Sequence, residues 1–129
     1  GSTQLLRTTT HAFTSPSRGL VSGAPAYEEC ADYAGLMKAP VKAIPLDAQL
    51  RDDLDAIVAA SKGAGLVYLN NPNNPTATVH SGKAVANFID LNQDGRLEAV
   101  VDVQKWEGFG ARVLQIDGED VIPTLNSAC

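Results

Sequence analysis

The chain has 129 residues, 44% hydrophobic and 19% charged, so it is long enough to bury a core and is neither disordered nor fibrous in composition. Ten Lys and Arg against 15 Asp and Glu give a formal net charge of −5, and no basic cluster opposes it, which argues against a nucleic-acid surface. No apolar run approaches the roughly 20 residues that span a bilayer, and the polar N-terminus lacks the apolar segment of a signal peptide, so neither membrane nor nucleic acid is expected as a partner.

Taken in order, the spacing predicts a helix from the N-terminus to about Phe13, with Ser2 or Thr3 as its N-cap. Ser15-Pro16-Ser17-Arg18 reads as a turn and Gly19 to Ser22 as a short strand. Pro25 suits the first turn of a helix over Ala26 to Met37, with Glu28 and Glu29 near its positive end. Val41 to Leu46 reads as a strand whose Pro45 suggests an edge position. Asp47 is placed to cap the next helix, in which Leu50, Leu54, Ile57 and Val58 recur at helical spacing, and Gly63 stops it. Strand 65–69 completes strand, helix, strand, helix, strand, with connections of a length that suits parallel crossovers. The expectation is an α/β fold: a small, mostly parallel sheet with flanking helices, half of a doubly wound sheet.

That strand runs into Asn70-Asn71-Pro72-Asn73-Asn74-Pro75-Thr76, which cannot continue a sheet. On local chemistry the asparagines build Asx-turns between prolines, but a loop after the carboxyl end of a buried strand is also where α/β proteins put ligands. The Asn-Pro-Asn-Asn-Pro-Thr run resembles the loop of the fold-type I pyridoxal-phosphate (PLP) aminotransferases, particularly the histidinol-phosphate aminotransferase branch. The resemblance extends back to Gly1 and fades after about Ala86. It implies PLP as cofactor, with Ser2 and Thr3 matching the loop that holds the phosphate, Tyr27 the aromatic residue that stacks on the pyridine ring, and Asn74 the asparagine bonded to the 3′-oxygen. Without the resemblance, Gly1-Ser2 reads as a scar before a capped helix and Tyr27 as a packed core residue. Ala77 stands where the family often has glycine.

Past a further expected helix over Ser81 to Ile89, Asp90, Asn92, Asp94 and Glu98 place side-chain oxygens at alternate positions around Gly95. Such spacing suits calcium, although Val101 stands where an EF-hand needs a glutamate. This stretch and the strand after it resemble one calcium loop of FG-GAP/VCBS-type propeller repeats, and Ala111 to Ile116, Asp117-Gly118 and Glu119 to Ile122 read as a hairpin. An Asp/Asn/Gly turn without metal is the plainer alternative. The same region also admits Asp102, after Val100 and Val101, as the aspartate that the aminotransferase resemblance would pair with the pyridine nitrogen.

A PLP transaminase needs a lysine that carries the cofactor and moves the proton. The family's lysine lies in a Ser-x-x-Lys-type segment, and Lys38, Lys42, Lys62, Lys83 and Lys105 all stand in other contexts. The chain therefore reads as a composite, an aminotransferase-like segment over 1–86 and a calcium-loop-like β segment over 87–129 packed as one domain, without transaminase activity by itself. The alternative is a non-enzymatic chimeric or designed folded module, with or without calcium at Asp90, Asn92, Asp94 and Glu98. An exposed sheet edge would favour a homodimer. His11 and His80 read as surface residues, Trp106 as an anchor of the C-terminal core, and Cys30 with Cys129 leaves both a disulfide and the compartment open.

Overall fold

The computed structural model describes residues 1–81 and the strands 100–105, 109–117 and 120–128, with side chains through residue 81 except that of Ser2. Helix α1 (Ser2–Phe13) leads to strand β1 (Leu20–Ala24), helix α2 (Glu29–Leu36), strand β2 (Val41–Pro45), helix α3 (Leu54–Ser61) and strand β3 (Leu66–Tyr68). The three strands are parallel in the order β2-β1-β3, with Leu20 opposite Val41 on one side and Leu66 on the other.

Alternation along the strands sends side chains to opposite faces, and each face has its own core. Leu20, Leu66 and Tyr68 pack with Leu6 of α1 and Cys30 and Ala34 of α2. Val21, Val67 and Leu69 pack on the other face with Ile57 of α3. Helices therefore cover both faces, as the strand–helix alternation predicts for a doubly wound sheet. Fully burying side chains of this size contributes roughly 1.5–3 kcal/mol each.

Helix α1 buries Leu6, Thr9 and Thr10 at the i, i+3, i+4 spacing of one helical face. Its buried threonines remain satisfied because Thr10 Oγ1 donates to the Leu6 carbonyl at 2.8 Å and Thr14 Oγ1 to the Thr10 carbonyl at 2.7 Å. Arg7 pairs with Glu29, and the Tyr33 hydroxyl lies 3.5 Å from His11 Nδ1, so α1 and α2 run side by side in the same direction.

Several boundaries differ from those read from sequence. Gly1, not Ser2 or Thr3, is the N-cap of α1, and no side chain caps it. Helix α2 begins at Glu29, which leaves Pro25 and Tyr27 in the loop after β1. Asp47 caps no helix: its Oδ1 accepts from the amides of Gln49 (2.8 Å) and Arg51 (2.9 Å), closing a turn. These bonds, the Arg51 amide first, hold its carboxyl below the usual carboxylate range. Leu50 consequently lies outside α3, 58% exposed and at φ 59°. Asp53 is the cap, accepting from the Ala56 amide at 3.0 Å. Gly63 does end α3, at φ 75°, and β2 does lie at an edge of the sheet.

The expected C-terminal hairpin is one part of a three-stranded antiparallel sheet. Strands β4 (Val100–Lys105), β5 (Phe109–Asp117) and β6 (Asp120–Ala128) pair in that order, with a register shift at Val113/Leu114. Apart from Ser81, the expected helix over 81–89 lies outside the described residues, as do the calcium-loop residues Asp90, Asn92, Asp94 and Glu98, and Trp106.

At the amino end of the parallel sheet the backbones approach closely. Gly19 lies against the Pro40 carbonyl and Gly65 against the Phe13 carbonyl, so that a methyl group at either would overlap main-chain oxygen. Gly65→Ala should therefore destabilise the chain by about 1–3 kcal/mol, measured by urea denaturation; unchanged stability would mean that the turn after α1 does not hold this position.

Candidate functional site

The carboxyl ends of β1, β2 and β3 open into three loops: 25–28, 46–53 and 69–80. The third ties the other two together. Asn73, 4% exposed, donates from Nδ2 to the Pro25 carbonyl at 3.0 Å and to Thr76 Oγ1 at 2.9 Å. Thr78 Oγ1 lies 2.8 Å from Thr76 Oγ1 and donates to the Leu50 carbonyl at 2.7 Å. His80 Nε2 is 3.0 Å from the Asp52 carbonyl, which can only accept, so this nitrogen carries the proton. Asn71 pairs with the main chain of His80 in both directions, at 3.1 and 2.8 Å. Asn73 thus bridges two separate loops and Asn71 closes its own loop onto His80, beyond the local Asx-turns that their composition suggests. His80 is half-buried and holds the loop, contrary to the surface position read from sequence.

Four buried side-chain atoms at this end have no hydrogen-bond partner among the described residues: Asp52 Oδ1, the Tyr68 hydroxyl, Asn70 Nδ2 and Asn73 Oδ1. Buried polar atoms without partners are few in folded proteins, and here all four lie on the loop side of the sheet. Burial raises the Tyr68 hydroxyl above the usual tyrosine range, and the neighbouring Cys30 thiol and Tyr27 add to the effect. Asp52 is 4% exposed and its Oδ1 occupies the space where Gly23 lacks a side chain. Burial pushes its carboxyl above the usual range, His80 opposes this, and Asp47 adds to it.

Helix α1 also belongs to this end. Its last residue, Phe13, lies against Gly65 at the start of β3, and its 12 residues span about 18 Å at ~1.5 Å each, close to the length of a five-residue strand. Its N-terminus therefore reaches the level of the strands' carboxyl ends. The Ser2 and Thr3 amides precede the first intrahelical bonds, which run from the Gln4 and Leu5 amides to the Gly1 carbonyl at 3.1 and 3.3 Å. Amides without an intrahelical partner and the positive end of the helix dipole suit an anion.

Of the residues singled out from sequence, Ser2 and Thr3 thus lie at the start of α1 and Tyr27 in the loop after β1, half-buried against the core beneath α1 and α2. Asn74 is exposed in the loop after β3. Asp102 is separate from this group in the pairing pattern: it lies within β4, opposite Arg112 in the antiparallel sheet. The described lysines with placed side chains, Lys38, Lys42 and Lys62, all belong to the amino end, and Lys42 Nζ donates to the Ala60 carbonyl at 3.0 Å. The sequence did not reveal the roles of Asp52, Asn73, Thr78 and His80. Asn73 stood inside a recognised motif, whereas nothing in the Asp52-Asp53 pair marks which aspartate caps the helix and which is buried.

An open parallel sheet with helices on both faces and polar loops at its carboxyl end defines the class of α/β ligand-binding domains. Residues 1–104 match the family model described as aminotransferase class I and II, and the chain belongs to that family. The match passes the point near Ala86 where the motifs fade and includes the Asp90–Glu98 stretch. The histidinol-phosphate aminotransferase of Limosilactobacillus fermentum is 30% identical over 91 residues, covering 69% of this chain and 25% of that protein. A solved Escherichia coli structure with a methionine aminotransferase function has a TM-score of 0.69 at 27% identity, covering 79% of this chain and 27% of that one. The histidinol-phosphate aminotransferase of Sinorhizobium meliloti, solved with pyridoxal 5′-phosphate, has a TM-score of 0.63 at 24% identity, covering 68% and 24% of the two chains. The chain thus spans about a quarter of the length of these relatives.

Two outcomes follow from the loop chemistry. Asn73→Ala removes the bridge between the loops and leaves the Pro25 carbonyl without its donor, so it should cost about 1–3 kcal/mol in urea denaturation. For Asp52, a folded-state pKa raised above the unfolded value means that the fold favours the protonated form. Its stabilising contribution is full below the ordinary carboxylate pKa and is lost as pH rises through the raised value. Asp52→Asn should therefore raise Tm near neutral pH, with the gain shrinking in mild acid. A gain independent of pH would show that the carboxyl's charge is not the cause.

Proposed function

We propose that this chain forms part of the PLP-binding large domain of an aminotransferase similar to histidinol-phosphate aminotransferase, and that it does not transaminate by itself. The observation that carries the reading is the convergence of three sequence-distant elements on one end of the sheet: the start of α1, the loop after β1 with Tyr27 and the loop after β3 with Asn74. The donor chemistry fits the cofactor. Amides without an intrahelical partner at Ser2 and Thr3 suit its phosphate, the half-buried Tyr27 ring offers an aromatic face, and the exposed Asn74 amide can donate to a ring oxygen.

When bound, PLP supplies the electron sink for chemistry at an amino-acid α-carbon. This chain's own part is to orient the ring and hold the phosphate. Asp102 is the residue that the reading assigns to the pyridine nitrogen, and its place in β4 makes that assignment depend on how β4 meets the cofactor. The lysines with placed side chains support the absence of transamination: Lys38, Lys42 and Lys62 stand at the opposite end of the sheet.

Calorimetric titration with pyridoxine 5′-phosphate, which keeps the ring and phosphate but cannot condense with lysine, tests the reading without an activity assay. We expect saturable binding that weakens about tenfold in Asn74→Ala, equivalent to the loss of one hydrogen bond of roughly 1.4 kcal/mol. No saturable heat with the unaltered chain would end the proposal.

A further inference from the structure

We propose that a groove at the amino end of the parallel sheet binds a small organic anion, with its charged head between Lys42 and Lys62 and its apolar body against Pro40 and Ala64. The groove has a volume of about 180 Å³ and lies over the starts of β1 and β2 and the turn after α3. It is at the far end of the strands from the loops that carry Tyr27 and Asn74, so it is independent of the function proposed above.

Three observations support it. First, the chain is acidic, with a net charge of −5, yet two lysines and no acidic side chain among the described residues line this groove. The ion pairs among the described residues, Arg7–Glu29 and Arg51–Asp47, involve neither lysine. Second, Lys42 is anchored. Its Nζ donates to the Ala60 carbonyl at 3.0 Å, which uses one of the ammonium's three donors and leaves two for a ligand. A lysine held in this way loses less side-chain freedom on binding than a free one. Third, the groove is open beside Gly63, where a Cβ would meet nothing within 4 Å, and the neighbouring Lys62 is exposed, so a solute can enter beside it.

The negative end of the α3 dipole points toward this groove and by itself would repel an anion. Lys42 on the Ala60 carbonyl and Lys62 immediately after the helix offset that charge. Pro40 and Ala64 then favour a ligand with a short hydrocarbon body over a bare inorganic ion. Carboxylates and phosphate monoesters share the required chemistry.

The test is an amide-resolved NMR titration of the full chain with butyrate, propyl phosphate, inorganic phosphate and the neutral control butanol. The expected result is saturable shifts at Lys42, Lys62 and Gly63 with at least one of the two organic anions, and none with butanol. The anion giving the tighter binding identifies the preferred head group. Lys62→Gln, at an exposed position outside the sheet, should weaken binding about fivefold or more, and Lys42→Met should do the same. Asn74→Ala should leave it unchanged. Shifts that do not saturate, that survive both lysine substitutions, or that inorganic phosphate reproduces with equal affinity would overturn the proposal.

Discussion

The parallel pairing of β1 with both β2 and β3 is the constraint on which the rest of the described α/β unit depends. A sheet made only of parallel strands is found almost only where both of its faces are covered. Leu20 and Val21 meet that requirement by pointing to opposite cores, one beneath α1 and α2 and the other beneath α3. Because all three strands run the same way, their carboxyl ends emerge together, and the loops that follow them are brought side by side whatever their separation in sequence. The gathering of these loops at one end of the sheet is a consequence of that direction.

The two ends of the sheet are built by different means. At the amino end, Gly19 and Gly65 let main chain approach main chain, while the Leu20 amide bonds the Pro40 carbonyl and the Gly65 amide the Gly19 carbonyl, both at 2.8 Å. At the carboxyl end the loops are joined chiefly by side chains, through Asn73, Thr78 and His80. Side-chain joints of this kind can hold an irregular loop in one shape while leaving other polar atoms unpaired. The Asp52, Tyr68, Asn70 and Asn73 atoms without partners among the described residues accompany that arrangement.

Much of the fold was legible in the sequence because it rests on local pattern. Apolar runs bounded by Gly, Pro and Asn marked β1, β2 and β3, and the Asn-Pro-Asn-Asn-Pro-Thr motif pointed to the family. Boundaries were harder where two residues of one type compete for one role. Asp47 and Asp53 both precede an apolar helical period, and Leu50 fits that period by spacing. The structure separates them because the Asp47 carboxylate is occupied by the Gln49 and Arg51 amides, and Leu50 takes a positive φ. The helix therefore starts six residues later, at the Asp53 cap.

The candidate site divides in the same way. Sequence by itself determined the alternation of strands and helices, the acidic balance, the Asn/Pro loop and the family resemblance, because each is carried by residue type and spacing along the chain. Only the tertiary structure decided that Asp52 is the buried aspartate, that Asn73 joins the loop after β3 to the loop after β1, that His80 is a structural donor, and that Lys42 and Lys62 line the same groove. These relations depend on which strand lies between which others, and the β2-β1-β3 order brings together segments that no local period relates.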